Sequence, residues 1–158
     1  MSKKHVVLVF PESGPLIRLS MGKHLDLLLN LEVPIFILDE VFRECTHDLA
    51  RPGATSISEF VIRHPEWVHV APTFVGEMAE RVRKEGRMPG RGLREAAIAE
   101  FFANIDRFID PKDPVLIVFE DNDMGRINAV VRENVHMLST SGLLKRMASS
   151  SVIDFAEP

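Results

Sequence analysis

Short apolar runs alternate along the chain with longer stretches in which apolar residues recur at helical spacing. The runs lack the regular alternation of apolar and polar residues that marks a half-exposed strand. They are therefore typical of strands buried on both faces of a sheet. Five such strands are predicted, at residues 5–10, 33–38, 68–71, 115–119 and 135–138.

The stretches between these runs predict helices. Pro15 suits the first turn of the first helix. Thr55 and Thr73 are the expected N-caps of helices that end at Arg63 and near Lys84. The remaining predicted helices cover residues 39–47, 93–109 and 140–148, with one more ending near residue 132.

Strands that alternate with helices need crossover connections, which place the strands parallel. The sequence therefore predicts an α/β fold with three layers, α/β/α, around a central parallel sheet of four to five strands. Residues 1–148 are predicted to form one domain, and residues 149–158 a mobile C-terminal tail.

Composition narrows the class of protein further. A chain of 158 residues has the size of one domain, and its 46% hydrophobic and 27% charged content is ordinary for a soluble protein. The longest apolar stretch, residues 25–38, is interrupted by charged residues and a proline, so no membrane span is expected. The single cysteine, Cys45, fits a reducing compartment, and we expect a cytoplasmic protein.

Charge is distributed unevenly along a chain whose net charge is −4. Residues 81–94 contain six basic side chains and one acid, Glu85, whereas acids concentrate at residues 39–44 and 120–123. A basic segment beside acidic groups suits a site that holds metal ions and a polyanion. The alternative interpretation is a solvated helix end and loop.

Acidic residues follow the ends of several predicted strands. Ligands of such sheets bind beyond the carboxyl ends of the strands, so acids at these positions are candidates for a site. Crowded carboxylates need cations or protons, and hard oxygen ligands suit Mg²⁺ or Mn²⁺. The candidate ligands are Glu12, Glu44, Glu95, Asp121 and Asp123.

Each acid could instead serve only to stabilise the N-terminus of a helix, where a negative charge contributes about 0.3–1 kcal/mol. For four residues taken singly this second interpretation is preferred: Asp39, Glu40, Glu77 and Glu120. Other chemistries have less support. The six histidines show no paired zinc-ligand spacing, Cys45 has no evident base, and glycine-rich nucleotide loops and hydrolase elbows are absent from the sequence.

Five short segments occur in an order that resembles a known family. They are Val-Phe-Pro-Glu12-Ser13-Gly-Pro-Leu-Ile, Val41-Phe42-Arg43-Glu44, Gly92-Leu-Arg-Glu95-Ala-Ala-Ile-Ala, Val-Phe-Glu120-Asp121-Asn122-Asp123 and Val-His-Met-Leu-Ser-Thr140-Ser-Gly-Leu-Leu. Over residues 6–144 the chain resembles the PIN-domain family, which includes the VapC-type toxins of bacterial toxin–antitoxin pairs.

The resemblance implies a PIN-like fold and a Mg²⁺- or Mn²⁺-dependent endoribonuclease, often a homodimer held by an antitoxin protein. The implied metal ligands are Glu12, Glu95, Asp121 and Asp123. Glu44 would join them in catalysis, and Thr140 or Ser139 could orient the attacking water or a phosphate oxygen. RNA would be the partner, steered and clamped by Arg87, Arg91 and Arg94.

One residue departs from the family pattern. The first acid is normally aspartate, and here it is Glu12. The longer side chain is expected to weaken catalysis and to leave the fold unchanged. Either Asp121 or Asp123 can take the fourth acidic position of the family.

Two other functions remain open from the sequence. One is a catalytically impaired PIN-like protein that binds nucleic acid or a protein partner without cleavage. The other is an unrelated metal-dependent hydrolase of small phosphorylated substrates.

Overall fold

The computed structural model describes residues 3–120, 135–149 and 154–156. Its strands are β1 Lys3–His5, β2 Leu8–Pro11, β3 Ile35–Leu38, β4 Val68–Ala71, β5 Val115–Phe119, β6 Val135–Ser139 and β7 Asp154–Ala156. Its helices are α1 Ser13–Met21, α2 Asp39–Thr46, α3 Ala54–Arg63, α4 Phe74–Lys84, α5 Leu93–Asn104 and α6 Thr140–Ser149. Short 3₁₀ helices cover Leu25–Leu31 and Ile105–Arg107.

Strands β2 to β6 form one parallel sheet in the order β4-β3-β2-β5-β6. Helices flank it, so the predicted three-layer α/β/α class with a central parallel sheet is confirmed, and the arrangement is consistent with a PIN-like fold. β1 and β7 pair antiparallel in a separate two-stranded sheet, so part of the tail predicted to be mobile forms a strand.

The strand order places a topological switch at β2. The chain moves from β2 outward to β3 and β4, then returns to place β5 on the other side of β2, with Pro11 opposite Val118. In open parallel sheets the crevice at such a switch, beyond the carboxyl ends of the strands, is the usual ligand site. Here the first residues beyond the two strands are Glu12 and Glu120.

The core lies on both faces of the central strands. All five residues of β5 and all four of β2 are buried, as the apolar runs predict. On one face the ring of Phe10 packs edge-on against Phe101 at 4.6 Å and lies 5.0 Å from Phe102, both on α5. Each such buried side chain contributes about 1.5–3 kcal/mol, and together they fix α5 against the sheet.

Helix boundaries follow capping chemistry in one case and close packing in another. Thr73 caps α4 as predicted, since its hydroxyl accepts the Gly76 N–H at 2.9 Å. The predicted Thr55 cap is wrong: α3 begins at Ala54 and its N-cap is Gly53, at φ +81°. A Cβ at Gly53 would lie 2.1 Å from the Ser20 hydroxyl oxygen, so this close approach requires glycine.

Two further predictions concern the ends of helices. The long helix predicted over 93–109 ends at Asn104, and its continuation is the 3₁₀ turn Ile105–Arg107. The helix predicted to end near residue 132 lies outside the described residues, as do Asp121 and Asp123.

Candidate active site

Glu12 stands at the N-cap position of α1, directly after β2. Its backbone N–H bonds the Val118 carbonyl of β5 at 2.9 Å, which fixes it at the switch point. Its side chain makes no capping hydrogen bond and is 7% exposed. The simple helix-cap interpretation therefore does not account for the placement of this carboxylate.

The Glu12 carboxylate instead faces a guanidinium group, that of Arg94 in the first turn of α5. Arg94 Nε lies 3.8 Å from Glu12 Oε2, Nη1 lies 3.3 Å from Glu44 Oε2, and Nη2 lies 3.4 Å from Glu95 Oε1. Nη1 also donates to the Ser13 hydroxyl at 3.0 Å. We call these five residues the acidic cluster.

Three predicted site residues thus come together from three separate parts of the chain. Glu12 follows β2, Glu44 lies in α2, and Glu95 lies in the first turn of α5, where a negative charge also favours the helix N-terminus. Three carboxylates face one guanidinium, so the acidic cluster keeps formally two negative charges in excess. Such an excess attracts cations.

The acidic cluster opens to the surface. Glu44 and Glu95 have 41% and 38% of their side chains exposed, whereas Arg94 has 16%. A surface cavity of about 320 Å³ lies beside them, lined also by Arg43 and His47. Solutes can therefore reach the carboxylates without a change of fold.

A second polar contact set lies at the end of β5. The Thr140 hydroxyl donates to Glu120 Oε1, and Arg18 Nη1 donates to Glu120 Oε2 at 2.8 Å. Gly14 allows Glu120 to lie against α1, since a Cβ there would come within 2.4 Å of Glu120 Cγ. The buried Thr140 thus holds the Glu120 carboxylate at the switch point.

Asp39 and Glu40 bond to residues at the two ends of α4. The Asp39 carboxylate accepts the Glu40 N–H and the Thr73 N–H, each at 2.8 Å, and the Thr73 hydroxyl at 2.9 Å. The Glu40 carboxylate accepts hydrogen bonds from Arg83 Nη2 at 3.2 Å and from Nη1 at 3.3 Å, and both side chains are largely buried. These contacts join α2 to the start and the end of α4.

The basic segment does not form one continuous face. Arg83 and Arg94 point into ion pairs with acids, and Arg87 pairs with Glu85 at the surface. Arg91 is exposed. Of the three arginines predicted to contact nucleic acid, Arg87 and Arg91 lie at the surface of the loop, and Arg94 lies in the acidic cluster.

The Cys45 thiol is buried close to the acidic cluster. Burial, with the nearby Glu44 and Glu12 carboxylates, raises its pKa from 9.0 to about 12. The thiol therefore stays protonated near neutral pH.

Carboxylate oxygens are the donors that Mg²⁺ and Mn²⁺ prefer, so the three acids of the acidic cluster are donors of the type that the implied metal requires. Within residues 3–120, 135–149 and 154–156, no group of three or more histidines, cysteines or acids stands ready to hold an ion. The guanidinium of Arg94 lies between the three acids. Asp121 and Asp123, the other predicted ligands, lie outside the described residues.

Sequence reasoning missed three aspects of this site. Ser13 carried no predicted role, Arg94 was assigned to the nucleic acid, and Glu120 was assigned to a helix N-terminus. The position of Glu120 directly after a buried strand was a usable signal. The inward direction of the Arg94 side chain depends on how α5 packs, and the sequence contained no signal for it.

In the described part of the chain, no helix is long and apolar enough to cross a membrane. Comparison with known proteins found no matching family model and no matching curated protein. Among solved structures, the chain is similar to VapBC2 from Rickettsia felis bound to a DNA fragment from their promoter, with 14% identity and a TM-score of 0.44. The match covers 84% of this chain and 98% of that chain. Likeness at this level assigns the chain neither to a family nor to a function.

Proposed function

We propose that this chain is a divalent-metal-dependent endoribonuclease of PIN type, the toxin component of a toxin–antitoxin pair. One observation carries the proposal: Glu12, Glu44 and Glu95, distant in sequence, reach the same point beside the switch of the parallel sheet. Packing alone does not require these three carboxylates at one point, because Glu12 loses hydration as it is buried there.

The excess negative charge of the acidic cluster suits a doubly charged cation. Glu12 and Glu95 would hold it, together with Asp121 and Asp123, which follow Glu120 directly in the sequence. A bound Mg²⁺ or Mn²⁺ supplies an activated water and neutralises charge that develops on a phosphodiester.

The chain's own residues would supply positioning. Thr140, with its hydroxyl bonded to Glu120, would fix that carboxylate at the edge where the phosphodiester lies. Glu44, exposed at the rim of the 320 Å³ cavity, would accept a proton or orient the water. Arg87 and Arg91 would hold the RNA backbone from the surface loop.

A second candidate is a PIN-like protein that binds RNA or a protein partner without cleaving it. A specific observation favours it: the Arg94 guanidinium already neutralises part of the charge that a metal would neutralise. The longer side chain of Glu12, which is expected to weaken catalysis, also favours this second candidate.

Cleavage of a mixed RNA pool tests the first candidate against the second. With Mn²⁺ the wild type should cut, chelation with EDTA should stop it, and Glu95→Gln should reduce the rate at least about 100-fold. Glu77→Gln is a matched control, because Glu77 also lies in the first turn of a helix but is exposed on α4. RNA binding without cleavage in any metal would favour the non-cleaving protein.

Turnover of a small phosphoester in the same buffers tests the third reading of the sequence. A nuclease of this type should leave p-nitrophenyl phosphate intact, whereas a hydrolase of small phosphorylated substrates should release nitrophenol. An antitoxin and a homodimer belong to the proposal as partners. Size-exclusion chromatography with light scattering measures directly whether the chain forms the homodimer.

A further inference from the structure

His47 is the C-cap residue of α2, and the helix itself orients its imidazole ring. The backbone N–H of His47 bonds to the Arg43 carbonyl at 2.9 Å, and ring nitrogen Nδ1 lies 2.9 Å from the same oxygen. A carbonyl oxygen only accepts hydrogen bonds, so Nδ1 carries a proton. In the neutral ring the lone pair is therefore on Nε2.

The bond from Nδ1 does not depend on whether Nε2 is protonated. Nδ1 is a donor in this neutral tautomer and in the imidazolium alike. The ring can therefore keep its orientation while Nε2 gains or loses a proton. The side chain is exposed, and among the described residues Nε2 has no hydrogen-bond or ion-pair partner.

His47 also lines the 320 Å³ cavity beside the acidic cluster. The other charged groups of that lining are arginines and glutamates: Glu40, Arg43, Glu44, Arg94 and Glu95. An arginine does not give up its proton in a protein, and an ionised carboxylate only accepts. A histidine changes its protonation near neutral pH, so His47 is the side chain of this lining best suited to donate a proton.

We propose that His47 is the general acid of the RNA cleavage reaction, in which Nε2 protonates the ribose oxygen that leaves the phosphorus. This inference rests on the proposed function. A water oxygen bonds to phosphorus, the bond from phosphorus to the ribose oxygen breaks, and that oxygen takes the proton from Nε2. The proton that the water loses passes to Glu44. Both side chains are exposed, so exchange with solvent restores each of them.

Sulfur at the leaving position of the substrate tests this role, because a thiolate leaves phosphorus without the proton that an alkoxide needs. An RNA that the wild type cuts is made with oxygen or sulfur at that position, which the ends of the cleavage products identify. A general acid contributes about 10²–10⁴-fold, so in Mn²⁺ buffer His47→Asn should cut the oxygen substrate at least about 100-fold more slowly than the wild type. On the sulfur substrate the two proteins should cut at nearly equal rates.

The choice of asparagine separates catalysis from helix capping. Its amide N–H can replace Nδ1–H as the donor to the Arg43 carbonyl, whereas nothing in it replaces Nε2. A residue that only caps α2 would therefore lose no activity. His64→Asn is the matched control, because His64 is the C-cap residue of α3 and lines a different cavity. This control should cut both substrates at the wild-type rate.

The outcomes separate the inference from the proposed function. Equal rates of the wild type and His47→Asn on the oxygen substrate would overturn the inference and leave the nuclease standing, as would an equal loss on both substrates. A wild type that cuts no RNA in any metal would contradict both. The ratio of the two rates does not depend on how much of a variant is folded, and His47→Gln supplies that ratio should His47→Asn not fold.

Discussion

Replacement of Asp39 tests whether this acid is structural or belongs to the metal site. Its carboxylate accepts two backbone N–H groups and one hydroxyl, all at 2.8–2.9 Å. Hydrogen bonds to a charged group contribute about 1.5–3 kcal/mol each, and three bonds to one carboxylate are not additive. Asp39→Ala should therefore reduce the free energy of unfolding by about 3–4 kcal/mol.

Asp39→Asn gives a graded version of the same test. The asparagine keeps one acceptor oxygen, but its amide nitrogen is a donor and would face the N–H or hydroxyl of Thr73. We expect a loss of about 2 kcal/mol, which is roughly 4–8 °C in melting temperature for a chain of this size. Gly76 allows Asp39 to lie this close to α4, since a Cβ there would meet Asp39 Oδ2 at 2.0 Å.

Urea unfolding monitored by circular dichroism measures both losses, provided that the dependence on denaturant keeps the same slope. The stabilisation that Mn²⁺ gives should be the same in Asp39→Asn as in the wild type. A loss below about 0.5 kcal/mol, combined with loss of the Mn²⁺ response, would refute the reasoning and move Asp39 into the site.

Three further predictions concern the site and its surroundings. Glu12→Asp introduces the acid that is usual in the PIN-domain family, which the sequence resembles. If the proposed function is right, this variant should raise the single-turnover cleavage rate with Mg²⁺ roughly tenfold or more, with a smaller gain in Mn²⁺; equal rates would show that the extra methylene is harmless. Arg87→Gln with Arg91→Gln should weaken RNA binding for all sequences and flatten its salt dependence by roughly 1.4 in slope; parallel salt plots would return both residues to a solvated surface. Burial and the nearby Arg146 lower the pKa of His136 from 6.5. Because the unfolded chain then binds the proton more readily, stability should be steady above pH 6.5 and fall as the pH drops towards the lowered pKa, and His136→Gln should abolish that fall.

The sequence predicted those features that depend on local pattern. Unbroken apolar runs gave the five strands of the central sheet, and the hydroxyl at Thr73 gave the cap of α4. Glu12 and Glu44 could be placed near one another because parallel strands end at a common edge, whereas Glu95 could join them only if its helix began at that edge. Thr55 failed as a cap since the deciding factor, the approach of Ser20 to Gly53, comes from a different helix.

The direction of long side chains could not be predicted in this way. Arg94 belongs by sequence to a run of basic residues, and in a loop it would face solvent. It points inward because α5 packs beside α2, and from there Arg94 reaches three acids and the Ser13 hydroxyl at the start of α1. Glu120 likewise gains Thr140 and Arg18 through the order of the strands, which adjacent residues do not encode.

Thermal unfolding in Mn²⁺ is the most direct test of a divalent-metal site at the acidic cluster. An ion at 100 times its dissociation constant stabilises the fold by about 2.7 kcal/mol, which corresponds to roughly 5–11 °C in this size range. We predict that rise for the wild type, its reversal by EDTA, and its loss when Asp121→Asn and Asp123→Asn are combined. A melting temperature unchanged by millimolar Mn²⁺ would contradict the account.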